Sequence, residues 1–413
     1  MSPTRARIRV YPEPITDRCF RFFLGLLLAV SFLFLTPSVY GADPSKVYFV
    51  PLPEEQIRVS GATIEQSGNT IHTIVSISVV AGNTTIYYDH WEDGYEADLS
   101  NPVQPSPQPW TRDAGDILTL ENDVPANPRG VAIRYDGGDK IGSTQSIAVT
   151  RAGWPTDPGT VFAGAVEVFD TSKWGIHYDV PVGEDSPGST SFEYTGLVVM
   201  AAEDGTTVEI DTDADDTVDV TQTLNMGESY LVNGDLQVGA EVSASAPVQV
   251  DLVTGDVGAR FEGRWFTLIP DAQWTDSYYN PVGTTVSDDP AYTILYNPDT
   301  SPITVNYETY PSGSGSFNVP AGDTYEFEMP ANSGAHFYSG SPFFALCLMD
   351  YDGSTHDWGF TLLPESALTT VAAVGWGPGS TNLSENGSPV WVTSVAETTL
   401  YVDYDGDPTT GPL

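Results

Sequence analysis

The sequence predicts an all-β protein, and three observations carry that prediction: frequent turn residues, apolar alternation with period two, and long internal repeats. Glycine (39) and proline (32) punctuate the 413 residues so often that helices of ordinary length have little room. Between them, "TIVSISVV", "TTVEIDTD", "AEVSASAPVQVDLVTG" and "SPITVNYETY" alternate Val, Ile, Tyr and Thr with small or polar residues. Such alternation sets one face of an antiparallel strand on a core and the other toward solvent.

The repeats set the size of the building block. "SKWGIHYDVPVG" and "AQWTDSYYNPVG" place Trp174 and Trp274, Tyr178 and Tyr278, Pro181 and Pro281, Val182 and Val282, and Gly183 and Gly283 one hundred residues apart. "LNMGESYLVNGDLQVGAEVSASAP" and "VPAGDTYEFEMPANSGAHFYSGSP" match Gly227, Tyr230, Gly239, Ala240 and Pro247 to Gly322, Tyr325, Gly334, Ala335 and Pro342, ninety-five apart. A preceding strand recurs as "TTIYYD" at Thr84, "TTVEID" at Thr206, "SPITVN" near Ile303 and "TTLYVD" at Thr398. A unit of this length, with five or more strands, fits a small β-sandwich of about 100 residues better than a propeller blade of about 40 to 50. The predicted architecture is tandem antiparallel β-sandwich-like modules of about 95–100 residues, with a propeller-like arrangement of the repeats as the alternative.

In chain order, residues 1–41 read as a signal peptide. Arg5, Arg7, Arg9, Arg18 and Arg21 accompany the apolar run "FFLGLLLAVSFLFL", and Val39 and Gly41 suit cleavage before Ala42. A first module follows over 42–190, enlarged by an acidic and aromatic insertion. A second spans 191–287, a third 288–388, and 389–413 begins an incomplete fourth, as in a fragment of a longer chain. Beyond the leader, no segment approaches eighteen uninterrupted apolar residues, so export without a stable membrane span is predicted.

Charge and cysteine content narrow the function classes. The chain carries 15 basic and 56 acidic residues; five basic and two acidic ones lie in the leader, leaving 10 against 54 and a net charge of -44. With only Lys46, Lys140 and Lys173 as lysines, nucleic acid and anionic membrane surfaces are repelled. Cys19 lies in the leader and Cys347 in "FFALCLM", so no internal disulfide is expected and Cys347 reads as a small buried hydrophobe.

Hydrolytic chemistry finds little support. There is no Gly-x-Ser-x-Gly elbow, and His72, His90, His177, His336 and His356 are scattered singly. Asp89, Glu92 and Asp93 beside Trp91 are the nearest thing to a glycosidase pair, but in so acidic a chain some carboxylates always fall close together. No cofactor is required; calcium is the one that acidic turns could hold, at Asp211, Asp213 and Asp215 or at Asp403, Asp405 and Asp407. The first cluster departs from an EF-hand, because Asp216 stands where the turn glycine belongs and Gln222 where the closing glutamate belongs. The insertion "HWEDGYEADLSNPVQPSPQPWTRD" offers His90, Trp91, Glu92, Asp93, Tyr95 and Trp110 as loop contacts for an extracellular glycan or protein. Trp174 and Trp274, being repeated, read instead as packing residues. The sequons at Asn83, Asn382 and Asn386 matter only in a eukaryotic secretory route.

The segments "YYDHWEDGYEADLSNP", "YDGGDKIGSTQSIAVTRAGWP", "VMAAEDGTTVEID" and "LVNGDLQVGAEVSASAPVQVDLVTGD" resemble secreted bacterial surface proteins related to the amino-terminal domain of IgG-Fc-binding protein. The resemblance runs from about Val47 to the end, most specifically in "DHWEDGYE" and around Pro247. It implies a secreted or cell-surface structural or adhesive protein without enzymatic chemistry. It supplies no catalytic residues and names no ligand. The alternative from the residues alone is a calcium-dependent carbohydrate-binding module or glycoside hydrolase.

Overall fold

The computed structural model describes residues 44–65, 68–99, 109–156, 164–259, 263–283, 290–311, 313–349, 358–373 and 390–402. The leader, Asn382, Asn386, Asp403, Asp405 and Asp407 lie outside the described residues.

Among the described residues, twenty-two strands fall into three sets. The first set is β1 (Lys46–Phe49), β2 (Thr70–Val79), β3 (Thr84–Asp89), β4 (Trp110–Arg112), β5 (Ile117–Pro125), β6 (Lys140–Ser143), β7 (Ile147–Pro155) and β8 (Gly164–Val168). The second is β9 (Gly175–Asp179), β10 (Tyr194–Ala201), β11 (Thr206–Asp211), β12 (Val220–Leu224), β13 (Ser229–Val232), β14 (Glu241–Gly255) and β15 (Gly263–Thr267). The third is β16 (Thr275–Asn280), β17 (Tyr292–Asn297), β18 (Ile303–Tyr310), β19 (Ser314–Val319), β20 (Asp323–Glu328), β21 (Gly334–Met349) and β22 (Trp358–Thr361).

All three sets pair in the same order. In the second, the first half of the 15-residue β14 lies between β9 and β11, whose far side carries β12; its second half lies between β15 and β10, which carries β13. In the third, β21 takes the place of β14, with β16, β18 and β19 on one half and β22, β17 and β20 on the other. In the first, the long strand is broken into β6 and β7, so the pairings separate into two four-stranded sheets, β1-β6-β3-β4 and β5-β2-β7-β8. The protein is thus a series of antiparallel sandwich units, each closing two layers of strands, as the repeat length predicts.

The alternation seen in sequence fills these layers. Val75, Ile77 and Val79 of β2 meet Ile86, Tyr88, Trp110, Ile141 and Val149 across the first core. Ser76 and Ser78 on the other face of β2 are also buried, so this strand is covered on both sides. Cys347 is fully buried beside Asn280 Nδ2 at 3.2 Å, and burial pushes its thiol up to about 12, which makes it inert.

One element departs from the all-β reading. Glu54–Ile64 forms an α-helix, α1, between β1 and β2, with Glu54 and Glu55 in its first turn and Ile57, Gly61 and Ile64 buried along one face. Its Ile57 and Ile64 join Tyr194, Val198, Val253 and Trp265 of the second copy in one cluster. The recurrence expected at Thr398 forms no strand over residues 398–402.

Neighbouring copies touch through equivalent atoms. Thr267 Oγ1 donates to the Glu167 carbonyl at 3.1 Å, and Thr361 Oγ1 donates to the Thr267 carbonyl at 2.6 Å. The Trp265 indole lies where a Cβ on Gly164 would sit 2.1 Å from it, so this contact requires glycine. Trp174 packs on Phe49 of the first copy with ring centroids 5.9 Å apart, and Trp274, stacked on Phe344 of the third at 4.8 Å, also joins the core cluster of the second copy. Both repeated tryptophans are therefore junction residues, their indoles donating to the carbonyls of Phe169 and Ile269, five residues before each.

Candidate functional site

The chain leaves β3 at Asp89 and turns at once into a short 3-10 helix, Trp91–Asp93. That turn packs against the 129–139 segment leading into β6, and the two together carry a dense group of charges. Among the sequence-predicted residues, His90 is buried, its ring lying between Tyr88 and Tyr135 at 5.0 Å from each. Its Nδ1 donates to the Arg134 carbonyl at 2.7 Å and lies 3.4 Å from Asp139 Oδ2. Burial opposes a charged imidazole there, yet the hydrogen bond and charge of Asp139 outweigh it and hold the His90 pKa above its ordinary value.

Trp91 is held from both ends and still faces solvent. Its backbone N–H donates to Asp139 Oδ1 at 3.3 Å and its indole N–H to Asp136 Oδ1 at 3.2 Å, leaving the side chain 37% exposed. The Arg129 guanidinium sits 4.7 Å from the Trp91 ring centroid, a cation–π contact. Glu92 Oε1 accepts from Arg129 Nη2 at 2.5 Å and from the Arg134 N–H at 2.8 Å. Arg129 Nη2 also bonds Asp136, and the Asp136 N–H donates to Asp139 Oδ2 at 2.9 Å. Tyr95 is half-buried; its hydroxyl donates to the Gly138 carbonyl at 2.6 Å and abuts Gly227 of the second copy. Gly227 has φ +74° and a Cβ there would lie 1.6 Å from the Tyr95 oxygen, so both turn and contact demand glycine. Asp93 is exposed.

Trp110 is not part of this surface. It is the first residue of β4, 5% exposed, pairs with Ile86 and meets Tyr88 edge-on at 6.4 Å. The proline-rich stretch before it reads as loop, but the indole itself fills the first core. His90 likewise points inward rather than toward a partner. Asp89, Glu92 and Asp93 do not form a facing pair: Asp89 is buried and accepts from the Glu96 N–H at 3.1 Å, Glu92 is bound to Arg129, and Asp93 faces water.

Sequence reasoning missed Glu54, Arg129, Asp136 and Asp139. Asp136 and Asp139 stand in "YDGGDK", whose glycines mark a turn, and their carboxyls are both raised above the ordinary range, mainly by burial. Behind them Arg151 Nη2 donates to Glu54 Oε1 at 2.6 Å in a fully buried ion pair. The long i-to-j separations, 37 for Arg129 with Glu92 and 97 for Arg151 with Glu54, explain why no local pattern reveals them.

The outer side of this group is one wall of a cleft of about 450 Å³ between the first and second copies. Trp91, Tyr95 and Arg129 line it from the first, and Met226, Glu228 and Ser229 from the second. Elsewhere, Asp211, Asp213 and Asp215 bring donor atoms within 4.8 Å of one another, and so do His90, Glu92 and Asp139; both sets have the residue types of a metal cluster. Asp211 Oδ1 accepts from the Asp213 and Asp215 N–H groups at 3.2 and 3.4 Å. In the third copy, Ser277 Oγ lies 2.9 Å from His336 Nε2 and 2.5 Å from Glu365 Oε2. The carboxylate there binds the serine and does not back the imidazole, unlike a hydrolase triad.

No curated protein matches the chain. The family model described as IgGFc binding protein matches residues 164–410, more than half of the 413. The match begins at β8, so the Trp91 loop precedes it and the second and third copies fall within it. On this match the chain belongs to the IgGFc-binding protein family, which is a family of non-catalytic β-sheet adhesion modules.

Proposed function

We propose that the protein is a secreted or cell-surface adhesive module of a bacterial exterior that contacts an extracellular glycan or protein through the cleft between its first two copies. The observation that supports this most is Trp91, a 37% exposed indole fixed by two hydrogen bonds and faced by Arg129. A rigid aromatic surface loses little entropy on binding, and neighbouring amide, hydroxyl and carboxylate groups give a ligand direction. Gln56, Glu228 and Ser229 on the same cleft provide such groups. The chain's net charge of -41 favours neutral or basic ligands over polyanions. Screening the exported chain against glycan and host-protein arrays tests the reading; retention of no ligand class across both arrays contradicts it.

Calcium belongs to this reading at Asp211, Asp213 and Asp215, supported by the convergence of their oxygens. Bound calcium would stabilise the folded chain and raise its melting midpoint. An unchanged midpoint across millimolar calcium would remove the ion from the account.

A further inference from the structure

Behind the cleft wall, His90, Glu92 and Asp139 each place one donor atom within 4.8 Å of the others. Their side chains are 1%, 1% and 0% exposed, so water does not complete their hydrogen bonding. His90 Nδ1 faces the Arg134 carbonyl at 2.7 Å; a carbonyl only accepts, so Nδ1 carries the proton. A bound cation would compete with the proton that Asp139 favours on this ring and select the neutral form, whose lone pair lies at Nε2, a buried atom that no donor reaches. Glu92 repeats the situation: Oε1 receives both of its donors, Arg129 Nη2 and the Arg134 N–H, while Oε2 is buried without one. Two buried acceptors lacking donors, in one cluster with a third carboxylate, leave electron pairs that the protein itself does not use.

We propose that His90, Glu92 and Asp139 bind a divalent first-row transition cation of the zinc or manganese class. An imidazole nitrogen with two carboxylates suits these ions, whereas calcium and magnesium take oxygen ligands. The hydrogen bond from Nδ1 to a backbone carbonyl is the outer support that metal-binding histidines regularly have, fixing both tautomer and ring orientation. Arg129, spanning Glu92 Oε1 and Asp136, supports the ligating glutamate from outside in the same way. Because the Trp91 N–H bonds Asp139 and Trp91 lines the cleft, the ion site lies directly behind the cleft wall. The ion would tie the end of β3 to the 134–139 turn, whatever the cleft itself binds.

The test is calorimetric titration of the chelator-treated full chain with zinc, manganese and calcium chlorides, alongside the visible spectrum of added Co²⁺. The expected result is one equivalent of zinc or manganese, bound at a site that calcium does not compete for, and a Co²⁺ spectrum unlike that of the hydrated ion. Glu92→Gln keeps an oxygen for the two donors at Oε1 and removes the anionic donor, so affinity should fall tenfold or more. Glu209→Gln, at an exposed residue of β11 in the second copy, should leave that binding unchanged. Absence of zinc or manganese uptake, a hydrated Co²⁺ spectrum, or wild-type affinity in Glu92→Gln would each overturn the proposal. The wild-type spectrum keeps the test decisive even if a variant fails to fold.

Discussion

The first and third copies pair their strands in the same order but fill their interiors with different polar groups. The first buries Glu54, Asp89, Asp136, Asp139 and Arg151. Among the described residues of the third, the buried polar side chains are neutral: Asn280, Thr293, Asn297, Thr309, Thr324 and Ser333. The two asparagines are satisfied locally. Asn280 Nδ2 donates to Thr293 Oγ1 at 2.8 Å and its Oδ1 accepts from the Val282 N–H at 2.9 Å, while Asn297 Nδ2 serves the carbonyls of Ser301, Val319 and Pro320. The third copy demonstrates that the architecture needs no buried charge. The buried acids and arginine of the first, which cost more to bury than hydrophobic replacements would, are therefore additions to the shared architecture rather than a requirement of it.

The largest break in this comparison comes from the buried ion pair. Arg151→Met leaves Glu54 charged and unpaired and should lower unfolding free energy by about 3–5 kcal/mol in a urea titration. The second copy sits between the extremes, burying Asp211, Asp251 and Arg264; burial raises Asp251 to about 7 despite hydrogen bonds from Thr267 and Gln249. Its folded form holds a proton that the unfolded chain has lost between about pH 4 and 7, so this group lowers stability as pH rises through that window. A shift of this size corresponds to roughly 4 kcal/mol as an upper bound. Asp251→Asn should flatten that fall in melts recorded from pH 4.5 to 8, with its greatest gain over wild type above pH 7. In the neutral third copy, Asn280→Ala removes one partner of a buried amide network and should cost about 1–3 kcal/mol, with no pH dependence. Smallest in stability is Trp91→Ala, within about 1 kcal/mol, because the indole is part-exposed and outside the cores.

Much of the fold is legible in the sequence because its signals are periodic. The hundred-residue spacing of Trp174 and Trp274 marks equivalent junctions, and the "TTVEID" motif marks the strand beside β14. Helix α1 was hidden by the turn-rich composition around it, although Pro53, the acidic first turn and the spacing of Ile57, Gly61 and Ile64 are its ordinary marks. The site was half legible. Trp91 and Tyr95 could be picked from an aromatic, acidic loop, but burial reversed the reading of His90 and Trp110. Arg129, Asp136 and Asp139 meet the loop only through tertiary packing, and in a chain with 56 acidic residues no single aspartate is distinctive.

The central claim is that recognition resides in the first copy, at its cleft with the second, and not in the shared sandwich architecture. The most direct measurement pairs two exposed aromatics on the ligand retained from the arrays: Trp91→Ala in the first copy and Tyr310→Ala, at an 82% exposed residue of the third. The account predicts at least tenfold weaker binding for Trp91→Ala and unchanged binding for Tyr310→Ala. Loss with Tyr310→Ala while Trp91→Ala binds as wild type would contradict it.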